Sequence, residues 1–211
     1  MLEYPVSNPK PLKSVRAARR PYHHGDLRAA LLKVAWTIVT EEGVEALTLR
    51  ACARRAGVSH AAPIHHFNNI AGLLAELAAD GYERLGSVMD RVAAELPREP
   101  LRAAGLGYIR FAKEYPEHFR MMSSVTASDT GSARLRAAAE ATKLRLEIAL
   151  RDTYFDVHRN EMKNEDLASR TALAWCSVHG YAVLCGGAAQ SSAMPKADVL
   201  LAQLRPALLA P

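Results

Sequence analysis

Residues Thr48–Phe67, TLRACARRAGVSHAAPIHHF, decide how the N-terminal part of this chain folds. Apolar residues recur at helical spacing before Gly57, which predicts two short helices separated by a tight turn. Thr48 is a good N-cap for the first helix, and Gly57 offers the left-handed conformation that ends it. Ser59 is expected to cap the second helix, and Pro63 falls in its first turn, where a missing N–H costs least. The pattern predicts a helix-turn-helix, whose second helix can lie in a DNA major groove, although spacing alone also fits a corner inside any helical protein.

Amphipathic helices are expected on both sides of this stretch. Upstream, residues 25–42 place apolar side chains on one stripe, and Gly43 ends that helix. Downstream, Asn68 or Asn69 caps a helix that continues to about residue 96, with a stripe that begins at Ile70 and Leu74. At about 1.5 Å per residue this helix spans about 40 Å. We therefore expect it to connect two domains mechanically.

Several motifs in this region occur in the order that one protein family uses. The run Tyr22–Leu77 contains a helix, an EEG turn, a TLR helix, an AGVS turn, a helix ending in HHF and an LL pair. It resembles the N-terminal domain of the TetR family of bacterial transcriptional regulators. Further on, AWCSVHGYAVL (Ala174–Leu184) is similar to the Trp-x-x-x-His-Gly signature of a TetR subgroup, and YPEHFRMM (Tyr115–Met122) lies where such proteins carry a similar segment.

The resemblance implies DNA contacts from the second helix of the motif and from the start of the first. The residues at these positions are Thr48, Arg50, Ser59, His60, Ala61, Ala62, Ile64, His65 and His66. Alanines can touch thymine methyl groups, and histidines can donate to phosphates or to purine N7. Two positions depart from the family, which usually has Tyr at Ile64 and Lys at Ile70, both phosphate-binding residues. These departures predict weaker DNA binding unless another part of the chain compensates.

The basic N-terminus is the candidate for that compensation. Residues 1–20 hold three prolines and five Lys/Arg against one Glu, which predicts a disordered arm. Arg16, Arg19 and Arg20 lie a few residues before the first helix, within reach of a minor groove, although a merely solubilising tail is the alternative. Residues 1–70 hold ten Lys/Arg against five Asp/Glu, and the rest of the chain holds seventeen of each, so the net charge of +5 belongs to the N-terminal third. Such a distribution is typical of a protein that binds the phosphate backbone.

The remainder of the chain predicts helices throughout, without strand alternation, internal repeats or a Gly-rich phosphate loop. We expect an all-α protein with a basic arm over residues 1–20, a three-helix DNA-binding domain over 21–70, and a helical ligand-binding and dimerisation domain over 71–211, joined by the long helix. The segment Glu165–Ala189 is apolar almost all round, which indicates burial between a core and a subunit interface. Together with a last helix at about Lys196–Arg205, it predicts a homodimer.

A ligand cavity is one explanation of the aromatic residues in the second domain. Trp175 and His179 lie one turn apart on one predicted helix, and a buried His needs a polar partner such as a ligand or a Tyr. The other candidates for the cavity are Tyr108, Phe111, Met121 and Met122. Such side chains also fill an apolar core without any ligand. If the cavity exists, its ligand is expected to be small and apolar.

The other residue types argue against several function classes. Cys52, Cys176 and Cys185 form no CxxC pair and predict buried thiols in a reducing cytoplasm. The five histidines between His23 and His66 lack zinc-finger spacing, so no metal is expected. No apolar run reaches eighteen residues and no secretory signal is present, so neither a membrane span nor a membrane partner is expected. No nucleophile elbow or cofactor motif occurs, and we expect neither a cofactor nor an enzyme.

Two hypotheses remain. The first is a ligand-responsive homodimeric repressor that binds a pseudo-palindromic operator in double-stranded DNA. The second is a helical ligand-binding dimer that has lost useful DNA affinity through Ile64 and Ile70. The sequence identifies neither the ligand, nor the operator, nor the sign of regulation.

Overall fold

The computed structural model describes residues 24–125, 132–186 and 194–210. Over this part of the chain the backbone forms nine α-helices, one 3-10 turn and no strands, which confirms the all-α prediction. The helices are α1 (His24–Glu42), α2 (Leu49–Ala56), α3 (Ala61–Phe67), α4 (Ile70–Glu95), α5 (Pro100–Glu114), α6 (Pro116–Ser124), α7 (Ala133–His158), α8 (Asn164–Gly186) and α9 (Ala197–Leu208). None of them is both long and apolar enough to cross a membrane.

The first three helices pack around a small apolar centre. Ile38 of α1, Cys52 of α2 and Phe67 of α3 are all buried in it. Gly43 ends α1 as predicted, with a φ of 85° that an L side chain rarely adopts. The 3-10 turn Val44–Ala46 follows and leads into α2.

Helix α4 is the long connecting helix that the sequence predicts. Its 26 residues span about 39 Å. The Asn69 side chain caps its start by accepting a hydrogen bond from the Gly72 N–H at 2.9 Å. The helix packs mainly against α5 and α7, and it also contacts α1, α3 and α6. It therefore belongs to the packing of both halves of the molecule.

The buried face at the start of α4 differs from the predicted stripe. Leu73 is fully buried, whereas Ile70 is 39% exposed and Leu74 is only partly buried. Leu73 keeps helical spacing to Leu77 and Gly81, and so do Ile70 and Leu74. Periodicity alone is therefore compatible with either buried face. Tertiary packing selects the set that contains Leu73, and Ile70 is left at the exposed start of the helix.

The second domain has α4, α5, α7 and α8 at its centre. Gly107 allows α5 to approach α4 closely, since a Cβ at this position would lie 2.7 Å from the Met89 Cα. Helix α8 buries one face, where Leu167 and Val178 are almost inaccessible, while Leu184 on another face is 61% exposed. The predicted extension of α8 beyond residue 186 lies outside the described residues.

Helix α9 corrects the prediction that the last helix ends before Pro206. It continues through Pro206 to Leu208, and Leu208 is buried. The terminal carbonyls find side-chain donors: Arg170 Nη1 lies 3.1 Å from the Leu208 oxygen, and His158 Nε2 lies 2.8 Å from the Leu209 oxygen. These contacts and the burial of Leu208 offset the one backbone hydrogen bond that Pro206 cannot donate.

The three cysteines all lie on helices, but they differ in exposure. Cys52 is buried, and burial raises the pKa of its thiol to about 11. Cys185 is partly buried and Cys176 is exposed, so the prediction of three buried thiols is wrong for Cys176. Helical spacing placed Cys176 on an apolar segment, but the side of α8 that carries it faces away from the core.

Candidate nucleic-acid interface and ligand cavity

Helix α2 and the turn that follows it contain both features that the sequence predicts, the N-cap at Thr48 and the left-handed residue at Gly57. The Thr48 Oγ1 accepts a hydrogen bond from the Ala51 N–H at 3.0 Å and so caps α2. Gly57 adopts φ 68° and ψ 31°, the left-handed conformation that ends α2. The Val58 N–H then donates to the Ala53 carbonyl at 3.0 Å. These local bonds fix the direction in which the chain enters α3.

The start of α3 differs from the prediction in one respect. His60, not Ser59, occupies the N-cap position, and it makes no side-chain capping hydrogen bond. Ser59 contributes its backbone carbonyl, which accepts from the Ala62 N–H at 3.1 Å. Pro63 lies in the first turn, as predicted, and is buried. A short helix can begin without a side-chain cap here because Pro63 leaves one N–H fewer to satisfy.

Helix α3 has one buried face and one exposed face. Pro63 and Phe67 hold it against the rest of the domain. Ile64 is 51% exposed. Ser59, His60, Ala61 and His65 are also exposed, and Ala62 and His66 are partly buried. The exposed face makes no contribution to the core, and its residues are among those at which the family resemblance implies base or phosphate contacts.

Helix α2 presents cations beside this face. Thr48 and Arg50 are exposed at its start, and Arg50 has no ion-pair partner among the described residues. Arg54 is also exposed and lacks an ion-pair partner in the described part of the chain, although the sequence analysis did not single it out. Its neighbour Arg55 is instead held by two carboxylates of α1, with 2.8 Å from Nη1 to the Glu42 Oε1. Arg16, Arg19 and Arg20 of the basic arm lie outside the described residues.

A cavity of about 200 Å³ lies among five helices of the second domain and is here called the aromatic cavity. Four of the six residues proposed from the sequence border it: Tyr108, Met122, Trp175 and His179. The other lining residues are Tyr82, Leu85, Phe119, Ser123, Val125, Leu135 and Ala139. Phe111 and Met121 do not border it; both are buried in the core, and the Phe111 ring lies 5.2 Å from that of Tyr115.

A hydrogen bond joins two of the polar side chains that line the aromatic cavity. The Tyr108 hydroxyl lies 2.8 Å from His179 Nδ1, so the Tyr partner considered from the sequence is present. Burial lowers the pKa of His179 and raises that of Tyr108, because both charged forms lose hydration. Both groups are therefore neutral near pH 7. The Trp175 ring lies 5.3 Å from the Tyr108 ring in an edge-to-face arrangement and closes one side of the pair.

Helix α6 contacts both the cavity and the N-terminal domain. His118 of α6 stacks on Trp36 of α1, with ring centroids 3.5 Å apart and an interplanar angle of 16°. Its Nε2 donates to the Trp36 carbonyl at 3.2 Å. The adjacent Phe119, and Met122 one turn further along, border the aromatic cavity. A change in the cavity can therefore reach α1 through one short helix.

A chain of ion pairs forms a second connection between the two halves. Glu76 of α4 bonds Arg28 of α1 at 2.5 Å and Arg134 of α7 at 3.0 Å. Arg134 also pairs with Asp80 and Glu83 of α4, at 2.9 and 2.8 Å. Burial acts to raise the pKa of Glu76, but the two arginines together outweigh it and lower that pKa. No group of three or more His, Cys, Asp or Glu side chains suited to a metal ion occurs among the residues that the structure describes.

Known protein families match both halves of the chain. Residues 31–77 match the model of bacterial regulatory proteins of the tetR family. Residues 101–204 match the model of the tetracyclin repressor-like C-terminal domain. Together the two matches cover well over half of the sequence. The chain belongs to the TetR family. It is therefore a helix-turn-helix transcriptional regulator, and its family is one of regulators, not of enzymes.

Several solved structures share the fold over most of this chain. A protein of unknown function from Rhodococcus sp. RHA1 is 28% identical, with a TM-score of 0.71 over 90% of this chain and 97% of that one. The TetR family transcriptional regulator PfmR from Thermus thermophilus is 20% identical, with a TM-score of 0.57 over 84% and 96%. RolR, solved in complex with resorcinol, is 18% identical, with a TM-score of 0.60 over 86% of each chain. No curated protein matches the chain.

Proposed function

We propose that the chain is a ligand-responsive homodimeric repressor that acts in the cytoplasm on a pseudo-palindromic operator in double-stranded DNA. The observation that carries the proposal is the exposed face of α3, which has no packing role in a TetR-type N-terminal domain. A two-fold dimer would present two such helices to successive major grooves about 34 Å apart.

The proposed DNA contacts divide into two kinds. His60, Ala61, Ile64 and His65 face the bases, where the exposed Ile64 suits a thymine methyl group better than a phosphate. Arg50 lies where it can bind the backbone, with Thr48 beside it. The arm residues Arg16, Arg19 and Arg20 supply further phosphate or minor-groove contacts.

The proposed dimer interface runs along α8, with α9 beside it. Leu173, Val183 and Leu184 are each more than 40% exposed on α8, and nothing lies within 4 Å of the position of a Cβ at Gly180. Apolar side chains around an uncovered glycine form a surface that a second helix can approach closely. Family membership supports the dimer, because TetR regulators act as dimers.

The proposed ligand occupies the aromatic cavity. About 200 Å³ is below the range of about 300–1,000 Å³ typical of drug-sized ligands, so the ligand is small. It would contact an apolar wall and the Tyr108–His179 pair, a combination that suits a small aromatic molecule with a polar substituent. RolR, which shares the fold, was solved with resorcinol, a molecule of this kind. Because Trp175 and His179 both border the cavity, we also propose that the chain belongs to the Trp-x-x-x-His-Gly subgroup.

The coupling between the two sites would use α6 and the Glu76 ion pairs. Ligand entry that moves Phe119 or Met122 shifts His118 against Trp36, and α1 carries that shift to the helix-turn-helix. The second candidate function is a ligand-binding dimer with little DNA affinity. The exposure of Ile64 and Ile70, which replace usual phosphate-binding residues, supports that alternative.

DNA binding by purified protein tests the proposal. Duplexes are selected from a random pool, and their affinities are measured by fluorescence anisotropy. We expect a palindromic consensus, a loss of about 1–3 kcal/mol for His65→Ala on the selected duplex only, and a uniform loss on all duplexes for Arg50→Ala. Arg136→Ala, at an exposed position on α7, is the matched control. It should change the affinity neither for the selected duplex nor for the other duplexes. Selection without a consensus would favour the ligand-binding dimer.

A further inference from the structure

A second cavity, here called the distal cavity, lies between α5, α7, α8 and α9. Its volume is about 490 Å³, more than twice that of the aromatic cavity. The two cavities share no lining residue, although α8 borders both: Ala174 and Val178 face the distal cavity, and the adjacent Trp175 and His179 face the aromatic cavity. Of these two cavities, only the distal one falls within the range of about 300–1,000 Å³ typical of small-molecule sites.

The interior of the distal cavity suits a hydrocarbon. Its walls include Leu146, Val178 and Leu201. The Thr153 hydroxyl also lines it, but this group is already used, because it donates to the Ala149 carbonyl at 2.8 Å and accepts from the Leu101 N–H at 3.3 Å. An apolar chain could therefore enter without leaving a buried polar group unsatisfied.

The mouth of the distal cavity is charged, and its positive groups are only partly neutralised. Arg102 is engaged by two carboxylates, with 2.9 Å from Nη1 to the Glu99 Oε1 and 2.9 Å from Nη2 to the Asp198 Oδ1. Arg98 and Arg205 also line the mouth and are exposed. Neither of these two arginines has an ion-pair partner in the described part of the chain. Two guanidinium groups therefore remain available beside an apolar interior.

We propose that the distal cavity binds an amphipathic anion, a medium-length hydrocarbon chain with a carboxylate or phosphate head. The chain lies in the apolar interior, and the head lies at Arg98 and Arg205, whose planar forks match either group. A neutral molecule with the same chain gains only the apolar contacts, and a cationic one is repelled at the mouth. This site is additional to the ligand site proposed in the aromatic cavity, and it does not depend on DNA binding.

Calorimetry with the full-length protein tests the head group, using decanoate, decyl phosphate and 1-decanol below their aggregation concentrations. We expect one of the two anions, or both, to bind more tightly than decanol. Replacing both available arginines, Arg98→Gln with Arg205→Gln, should weaken anion binding by about tenfold and leave decanol binding unchanged, since water screens each exposed charge pair and limits its contribution to a few-fold. Decanol binding as tight as both anions, or no binding by any of the three, would overturn the proposal.

Blocking variants locate the binding site. Ala202→Trp, on the exposed rim of the distal cavity, should abolish anion binding. Gln203→Trp adds the same bulk at the next exposed position of α9, outside the cavity lining, and should leave binding intact. Ser123→Trp blocks the aromatic cavity at an exposed position and should also leave it intact. Loss of binding in Ser123→Trp but not in Ala202→Trp would overturn the distal site and leave the repressor proposal standing.

Discussion

His118 is a buried residue of the C-terminal half that contacts the DNA-binding domain directly. It is 1% exposed, stacks on Trp36 and donates its Nε2 proton to the Trp36 carbonyl. Burial lowers the pKa of His118 to about 4, and the positive charge of Arg84 acts in the same direction. Arg84 itself lies over the Trp36 ring, 4.1 Å from its centroid. A second positive charge on His118 would therefore weaken this contact.

The depressed pKa of His118 predicts a pH-dependent stability. An unfolded His titrates near pH 6.5, so between about pH 6.5 and pH 4 the unfolded state binds the proton and the native state does not. The free energy of unfolding should fall as the pH drops through this window, by on the order of 3 kcal/mol from this group, and level off below it. Urea unfolding at pH 7.5 and pH 4.5 measures the loss.

The variant His118→Gln attributes the loss to this residue. It should remove most of the pH-dependent loss, because Gln cannot titrate. His65→Gln, at an exposed position of α3, is the control and should keep the wild-type profile. If the free energy of unfolding falls equally between pH 7.5 and pH 4.5 in wild type and in His118→Gln, His118 is not the group responsible.

Helix α8 is apolar on two faces, and each face needs a partner to cover it. Its inner face, with Leu167 and Val178, packs against the domain core. Its outer face exposes Leu173, Val183 and Leu184, together with Cys176. Periodicity cannot separate these faces, because both are apolar. The all-round apolar character predicts burial on both sides, and only the inner side is buried within one chain.

Introducing a charge on the outer face of α8 should prevent dimerisation. Gly180→Arg is the chosen change, because nothing lies within 4 Å of a Cβ at Gly180 and the monomer fold should tolerate it. Light scattering should report a dimer for wild type and a monomer for Gly180→Arg, since an interface does not accept an unpaired desolvated charge. Ala94→Arg, at an exposed position of α4, should remain dimeric. A dimeric Gly180→Arg would place the subunit interface elsewhere.

Positive charge is distributed unevenly along the chain. The excess of positive charge lies in residues 1–70, and half of the ten Lys/Arg of that segment belong to the first twenty residues. On the described part of the DNA-binding domain, Arg28 and Arg55 are engaged with carboxylates. Lys33, Arg50 and Arg54 remain there without an ion-pair partner among the described residues, against five Lys/Arg in the arm, which makes the arm the larger candidate source of electrostatic affinity.

Deleting residues 1–20 should flatten the salt dependence of DNA binding. Each phosphate neutralised adds about 0.9 to the magnitude of the slope of log K against log salt concentration. If one or two arm cations per subunit bind phosphates, the slope should fall by about two to four units per dimer. Adding Ile70→Lys to the truncated protein should recover about two of those units, with little change in sequence preference. A slope that truncation leaves unchanged would identify the arm as a solubilising tail.

The features that depend only on neighbouring residues follow directly from the amino-acid sequence. Thr48 caps α2, Gly57 ends it in the left-handed conformation, and Asn69 caps α4, each as the local pattern predicts. These signals are reliable because each hydrogen bond closes within about four residues, so distant parts of the chain hardly affect them. The family motifs also lie within such local runs, and they were enough to predict the fold and the regulator class.

Where several sequence patterns are equivalent, the packing of distant helices selects the one that is used. Leu73 replaces Ile70 in the core, α9 passes through Pro206, and Tyr82 borders the aromatic cavity where Phe111 was expected. The distal cavity has no sequence signal at all, because four helices far apart in the chain form its walls. Helical spacing determines which residues share a face. The packing of distant helices, which minimises exposed apolar area for the whole chain, determines whether that face meets a core, a cavity or solvent.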